Sequence, residues 1–132
     1  MVKARKARQL SFSMQDRAGA LSEITTLIAG AKVNITSICA YTIDETAYFM
    51  LIADSNAKAK KALTKLRVKI EEDDVVELEM PDKSGELQKI SKKVADAGID
   101  IGYMYGTAGS GRSSTCVFKT SDDKKLIKVV NK

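Results

Sequence analysis

Two short runs hold the side chains best placed to do chemistry: Asp16-Arg17-Ala18-Gly19-Ala20-Leu21 and, sixty-six positions later, Asp82-Lys83-Ser84-Gly85-Glu86-Leu87. Each sets an acid and a base ahead of a glycine and an apolar periodic stretch. Glycine lets the main chain bend tightly, and a helix starting just beyond it leaves its first N–H groups without main-chain partners. Such a terminus favours an anion by roughly 0.3–1 kcal/mol when exposed. The same residues also suit a purely structural turn, with Asp16 satisfying local donors, Gly19 permitting the bend and Arg17 a solvated charge. Histidine is absent, which removes Ser-His-Asp and Cys-His pairs, imidazole zinc ligands and the commonest general base. Cys39 and Cys116 share no metal-type spacing and are expected to be buried thiols acting as small hydrophobes. No catalytic set, metal site or cofactor motif can be assembled. Gly106 to Ser113 is superficially phosphate-binding but lacks the lysine-serine/threonine ending, so a hairpin turn is expected there.

The elements that must position these runs are legible from periodicity. Leu10, Phe12 and Met14 alternate with Ser11, Ser13 and Gln15, and Val76, Leu78 and Met80 alternate with Glu77 and Glu79, predicting two strands with one buried face and one watered face. Leu21, Ile24, Ile28 and Ala31 recur as Leu87, Ile90, Val94 and Ala97, two matching helical stripes. Gly30 and Gly98 stand at or near the helix ends, where a left-handed residue often stops a helix. Strands follow over Val33 to Ile43 and Ile99 to Thr107, then Thr46 to Ala53 and Ser113 to Thr120, joined by Asp44-Glu45 and by Gly106 to Gly111. Second helices are expected over Asn56 to Leu66 and Asp122 to Val130. Arg67 to Glu71 can supply a fourth strand to the first copy; the second copy has no such segment after it, so its edge stays bare or is covered by the N-terminal segment or another subunit.

The order strand-helix-strand-strand-helix, made twice, is an internal repeat. It predicts an α+β chain of two ferredoxin-like βαββαβ units, 1–72 and 73–132, with antiparallel sheets, helices on one face and the second unit lacking its own C-terminal strand. Composition agrees with a soluble globular protein at 44% hydrophobic and 30% charged residues. No apolar run approaches the roughly 20 residues that cross a bilayer, and no signal-peptide core follows the basic start, so a cytoplasmic protein is expected. The net charge of +5 owes four positive charges to Lys3, Arg5, Lys6 and Arg8; nucleic-acid binding is not expected from it, because the remaining charge is interspersed with acids.

With strand, Asp-Arg-x-Gly-x-Leu, helix and then Val33-Asn34-Ile35, the chain resembles the ACT domain, a small-molecule regulatory module of amino-acid metabolism. The second copy carries Asp82, Lys83, Gly85, Leu87 and Ile99-Asp100-Ile101 at the matching places. It departs from the family in having Ala18 and Ser84 where proline is usual, and Lys83 for arginine makes the second motif the weaker one. The resemblance implies a stand-alone, non-catalytic tandem protein that binds an amino acid between paired units, forms a homodimer and signals to a metabolic enzyme or regulator. It implies a ligand site built from Asp16, Arg17, Ala18, Gly19, Ala20, Leu21, Asn34 and Ile35, and from Asp82, Lys83, Ser84, Gly85, Leu87, Asp100 and Ile101. In it the acid holds the ligand ammonium and backbone groups at Asn34-Ile35 or Asp100-Ile101 close the other side. The alternative is an interaction module of the same fold that binds no ligand and docks through its incomplete edge or basic N-terminus.

Overall fold

The computed structural model describes residues 2–108 and 112–131. Among them run β1 (Lys3–Gln15), α1 (Ala20–Gly30), β2 (Ile35–Ile43), β3 (Thr46–Ala53), α2 (Asn56–Leu63), β4 (Glu71–Pro81), α3 (Glu86–Asp96), β5 (Ile101–Ala108), β6 (Ser113–Thr120) and α4 (Asp123–Asn131). This is the expected α+β, ferredoxin-like order, twice. Part of the expected glycine-rich hairpin, residues 109–111, lies outside the described residues.

The chain divides into two compact units: Arg8–Asp73, and the residues up to Ala7 together with those from Asp74 onward. The strand order of the first unit is β2-β3-β1-β4, using only the start of β4. Its core gathers Leu10 and Phe12 of β1, Ile24 and Ile28 of α1, Phe49 and Leu51 of β3, and Ala59 and Leu63 of α2. Each large side chain there is fully or nearly fully enclosed, worth roughly 1.5–3 kcal/mol apiece against exposure. Leu10 pairs Leu51 and Phe12 pairs Phe49 across the antiparallel ladder, and the two rings stack at 5.4 Å.

In the second unit the order is β5-β6-β4-β1, the last place being filled by the beginning of β1. The unit therefore lacks its own last strand, and Lys3–Ala7 takes that place. Ala4 joins Val76, Leu78, Ile90, Phe118 and Leu126 in the core. Asn131, at the end of α4, grips the Ala4 main chain from both sides: its Oδ1 accepts from Ala4 N–H at 2.7 Å and its Nδ2 donates to Ala4 C=O at 2.8 Å. The unit boundaries thus differ from 1–72 and 73–132 in the first seven residues, and by one residue at Asp73, because an edge strand belongs where its hydrogen bonds and apolar contacts are.

Other expectations need correction. The stretch after the 3-10 turn Thr64–Leu66 is irregular; Arg67 sits left-handed at φ 56° and the next strand starts only at Glu71. Leu21 and Leu87 are not inward, being 50% and 45% exposed; in α1 the buried residues are Ala20, Ile24 and Ile28, four apart, which leaves Leu21 on the flank beside the loop. Glu77 does not meet water freely: Arg5, on the adjacent strand, lies 3.5 Å from its carboxylate and leaves the side chain 11% exposed. Cys116 is buried, whereas Cys39 is only partly so.

The ends of α1 and α3 match closely. Lys32 N–H donates to Ala29 C=O and Val33 N–H to Ile28 C=O; Gly98 N–H donates to Ala95 C=O and Ile99 N–H to Val94 C=O. Both are Schellman caps with a left-handed residue after the helix. That residue is Gly98 at φ 70° in one unit and Lys32 at φ 60° in the other, whereas Gly30 lies inside α1.

Candidate functional site

Gly19 and Gly85 stand at the N-termini of α1 and α3 with φ 87° and 88°, and no side chain caps either helix. A Cβ on either glycine would meet nothing within 4 Å, so glycine is required by the hand of the backbone and not by space. Each loop is tied down at its start. Asp16 N–H donates to Glu45 C=O at 2.8 Å and Asp82 N–H to Arg112 C=O at 3.1 Å. The residues following, Arg17 and Ala18 or Lys83 and Ser84, are exposed. The first helical N–H is taken back into the turn, from Ala20 to Arg17 C=O and from Glu86 to Lys83 C=O; the next donors in the first turn, at Leu21 and Leu87, lie ahead of the regular α-helical bonding at an end with no side-chain cap.

The charges differ between copies. Arg17 is engaged by the Glu23 carboxylate, while Lys83 forms no ion pair among the described residues. Asp16 and Asp82 are exposed, and their carboxylates accept no hydrogen bond from the described residues.

Asn34-Ile35 and Asp100-Ile101 lie elsewhere in their units. They follow α1 and α3, eleven residues long each, which puts about 16 Å of helix between them and their own unit's loop. Their main-chain groups are also occupied. Asn34 N–H donates to the Asp54 side chain and its C=O accepts from Asp54 N–H; Asp100 N–H donates to Ser121 Oγ and its C=O accepts from Ser121 N–H. Within one unit these residues brace the start of a strand and do not share a site with the loop.

In the second unit the loop borders a pocket of about 260 Å³. Its floor is laid by three adjacent strands, through Met80, Gly106, Ser114 and Cys116; Leu87 of α3 and the segment Pro81–Lys83 form the wall. Gly106 opposes Cys116 in the ladder, and a Cβ at 106 would stand 2.8 Å from Cys116 Sγ. Burial pushes the Cys116 thiol above its ordinary pKa and keeps it neutral. In the first unit the corresponding ladder pair is Ala40 with Phe49, and Phe49 stacks on Phe12. A larger groove of about 380 Å³ runs along α3 beside Val2, but four of its five charged side chains pair with each other, Lys89 with Glu86 and Lys92 with Asp96, leaving Lys93. Among the described residues it lacks an unpaired acid to set against an unpaired base, which the loop pocket has in Asp82 and Lys83, so the loop pocket is the better candidate.

The first unit, with its glycine-capped strand-to-helix loop, matches the family model of the ACT domain over residues 8–71. Residues 8–71 are an ACT domain. The second unit repeats that fold, and solved structures accompany both. A protein from Bacteroides thetaiotaomicron, BT0572, is similar at 28% identity and a TM-score of 0.89, over 97% of this chain and 88% of that one. The ligand-free regulatory subunit of aspartate kinase from Thermus thermophilus shares the fold at 12% identity and a TM-score of 0.74, over 99% and 95% of the two chains. The corresponding subunit from Thermus flavus does so at 14% and 0.66, over 98% and 94%. No curated protein matches the chain.

The ACT motif residues and the pocket were not equally visible beforehand. The repeat marks Asp82, Lys83 and Leu87, whereas no motif marks Met80, Gly106, Ser114 and Cys116 as a site. Laying the copies side by side carries the missing signal, since Gly106, Ser114 and Cys116 stand against Ala40, Ala47 and Phe49.

Proposed function

We propose that this chain is a non-catalytic regulatory protein of two ACT units that binds an amino acid at its glycine-capped loops and passes the occupied state to a partner enzyme or regulator. The observation that carries this reading is the ACT domain over residues 8–71, repeated in a second unit with the same left-handed glycine ahead of an uncapped helix. A carboxylate suits that helix terminus, and an exposed Asp16 or Asp82 suits an ammonium. Aspartate kinase regulatory subunits of the same fold make a metabolic enzyme the natural class of listener. A switch of this kind works through unequal affinity of the ligand for two arrangements of the protein. Because Lys3–Ala7 is built into a strand ladder, docking through a loose basic arm has little to support it.

Isothermal titration with the common amino acids tests the proposal. Saturable binding of at least one of them is expected; no heat from any of them at millimolar concentration overturns it.

A further inference from the structure

The two units are not equivalent where a ligand side chain would go. Both present a loop and small residues beneath it, but the second has a cysteine where the first has a phenylalanine. Cys116 occupies the ladder position of Phe49, Ser114 that of Ala47, and Gly106 that of Ala40. In the first unit the Phe49 ring lies against Phe12, 3% exposed; in the second, Leu78 and Cys116 supply far less volume at the same two places, and the pocket of about 260 Å³ opens beside them.

We infer that this pocket in the second unit receives the side chain of an α-amino acid whose side chain is aliphatic or a thioether. The assignment rests on the amino-acid reading above and names the class and the unit. Size is the first reason, since about 260 Å³ admits an amino-acid side chain and falls below the roughly 300–1,000 Å³ of pockets for drug-sized ligands. Lining is the second. Met80, Leu87 and Cys116 are apolar or weakly polar, and with Asp82 and Lys83 facing the ligand's ammonium and carboxylate, an ionised side chain among them loses hydration without gaining a counter-charge. The rim is the third. Asp82 and Lys83 carry opposite charges and neither forms an ion pair among the described residues, a match for the ammonium and carboxylate of a zwitterion. Gly106 keeps the floor open, because any side chain there meets Cys116 Sγ at 2.8 Å.

The thiol is itself the reporter. In a Cys39→Ser background Cys116 is the remaining cysteine, and its modification by methyl methanethiosulfonate is followed by mass spectrometry with methionine, leucine or norvaline present, against aspartate and lysine as controls. An apolar ligand at ten times its Kd is expected to slow labelling about tenfold, and Cys116→Phe is expected to abolish the calorimetric binding of that ligand. If Cys116→Phe does not fold, the labelling arm decides alone. Amino-acid binding that leaves Cys116 labelling unchanged, or that survives in folded Cys116→Phe, overturns the pocket assignment and leaves the regulatory reading standing. Protection by aspartate or lysine alone overturns the side-chain class. Binding of no amino acid overturns both readings together.

Discussion

Gly19 and Gly85 have open space around the missing Cβ, so a substitution there is paid for in backbone conformation alone. Gly85→Val should cost about 1–2 kcal/mol and should weaken ligand binding more than it lowers helix content, which calorimetry and circular dichroism separate. Lys32 is the converse case. It holds at φ 60° the cap position that Gly98 holds in the other unit, so Lys32→Gly should relieve strain and raise stability by up to about 1 kcal/mol, read from the midpoint of urea unfolding at unchanged slope. Cys116 links residue chemistry to pH. Its pKa is raised by burial, so the folded state favours the neutral thiol; that contribution is complete below the ordinary thiol range and fades as pH climbs through the raised value. Cys116→Ala should therefore lose less stability than the parent protein on going to alkaline pH.

At the scale of elements, the clasp between Asn131 and Ala4 decides whether Lys3–Ala7 stays in place. Asn131→Ala removes two hydrogen bonds to the strand's main chain and should cost about 1–3 kcal/mol, with faster hydrogen exchange in β1 and at Val76 to Met80. Most elements were legible in advance because periodicity is a local property: α1 and α3 came from apolar spacing, β1 and β4 from alternation. The first half of β1 was not, since Lys3-Ala4-Arg5-Lys6-Ala7 has no apolar alternation, and its place is fixed by Asn131, 127 positions away. Leu21 and Leu87 are exposed against their place in the apolar stripe for a related reason. A residue in the first helical turn fits the apolar stripe by spacing, yet the loop that precedes it turns that flank to solvent. The loop residues were marked by repetition, whereas the pocket depends on strand register, which brings Gly106 against Cys116 and cannot be read from either residue alone.

For the whole molecule, the net charge of +5 is best judged from where the basic run lies. Arg5 pairs with Glu77, and Arg8 donates to the Glu72 carbonyl. A run held in strand geometry and partly neutralised offers little to a phosphate backbone, so fluorescence anisotropy with duplex DNA should show no binding at physiological salt. No helix among the described residues is long and apolar enough to cross a membrane. The strand handed from one end of the chain to the other has a consequence for the order of events in folding. Closing a loop of 127 residues, the separation of Ala4 from Asn131, costs about 1.6 kcal/mol more than closing one of 21, the separation of Asp100 from Ser121. On a ribosome the residues around Ala4 emerge 127 positions ahead of the partner that holds them. The second unit should thus mature after the first, and until it does, an unpaired strand edge is open to any neighbour able to add to it.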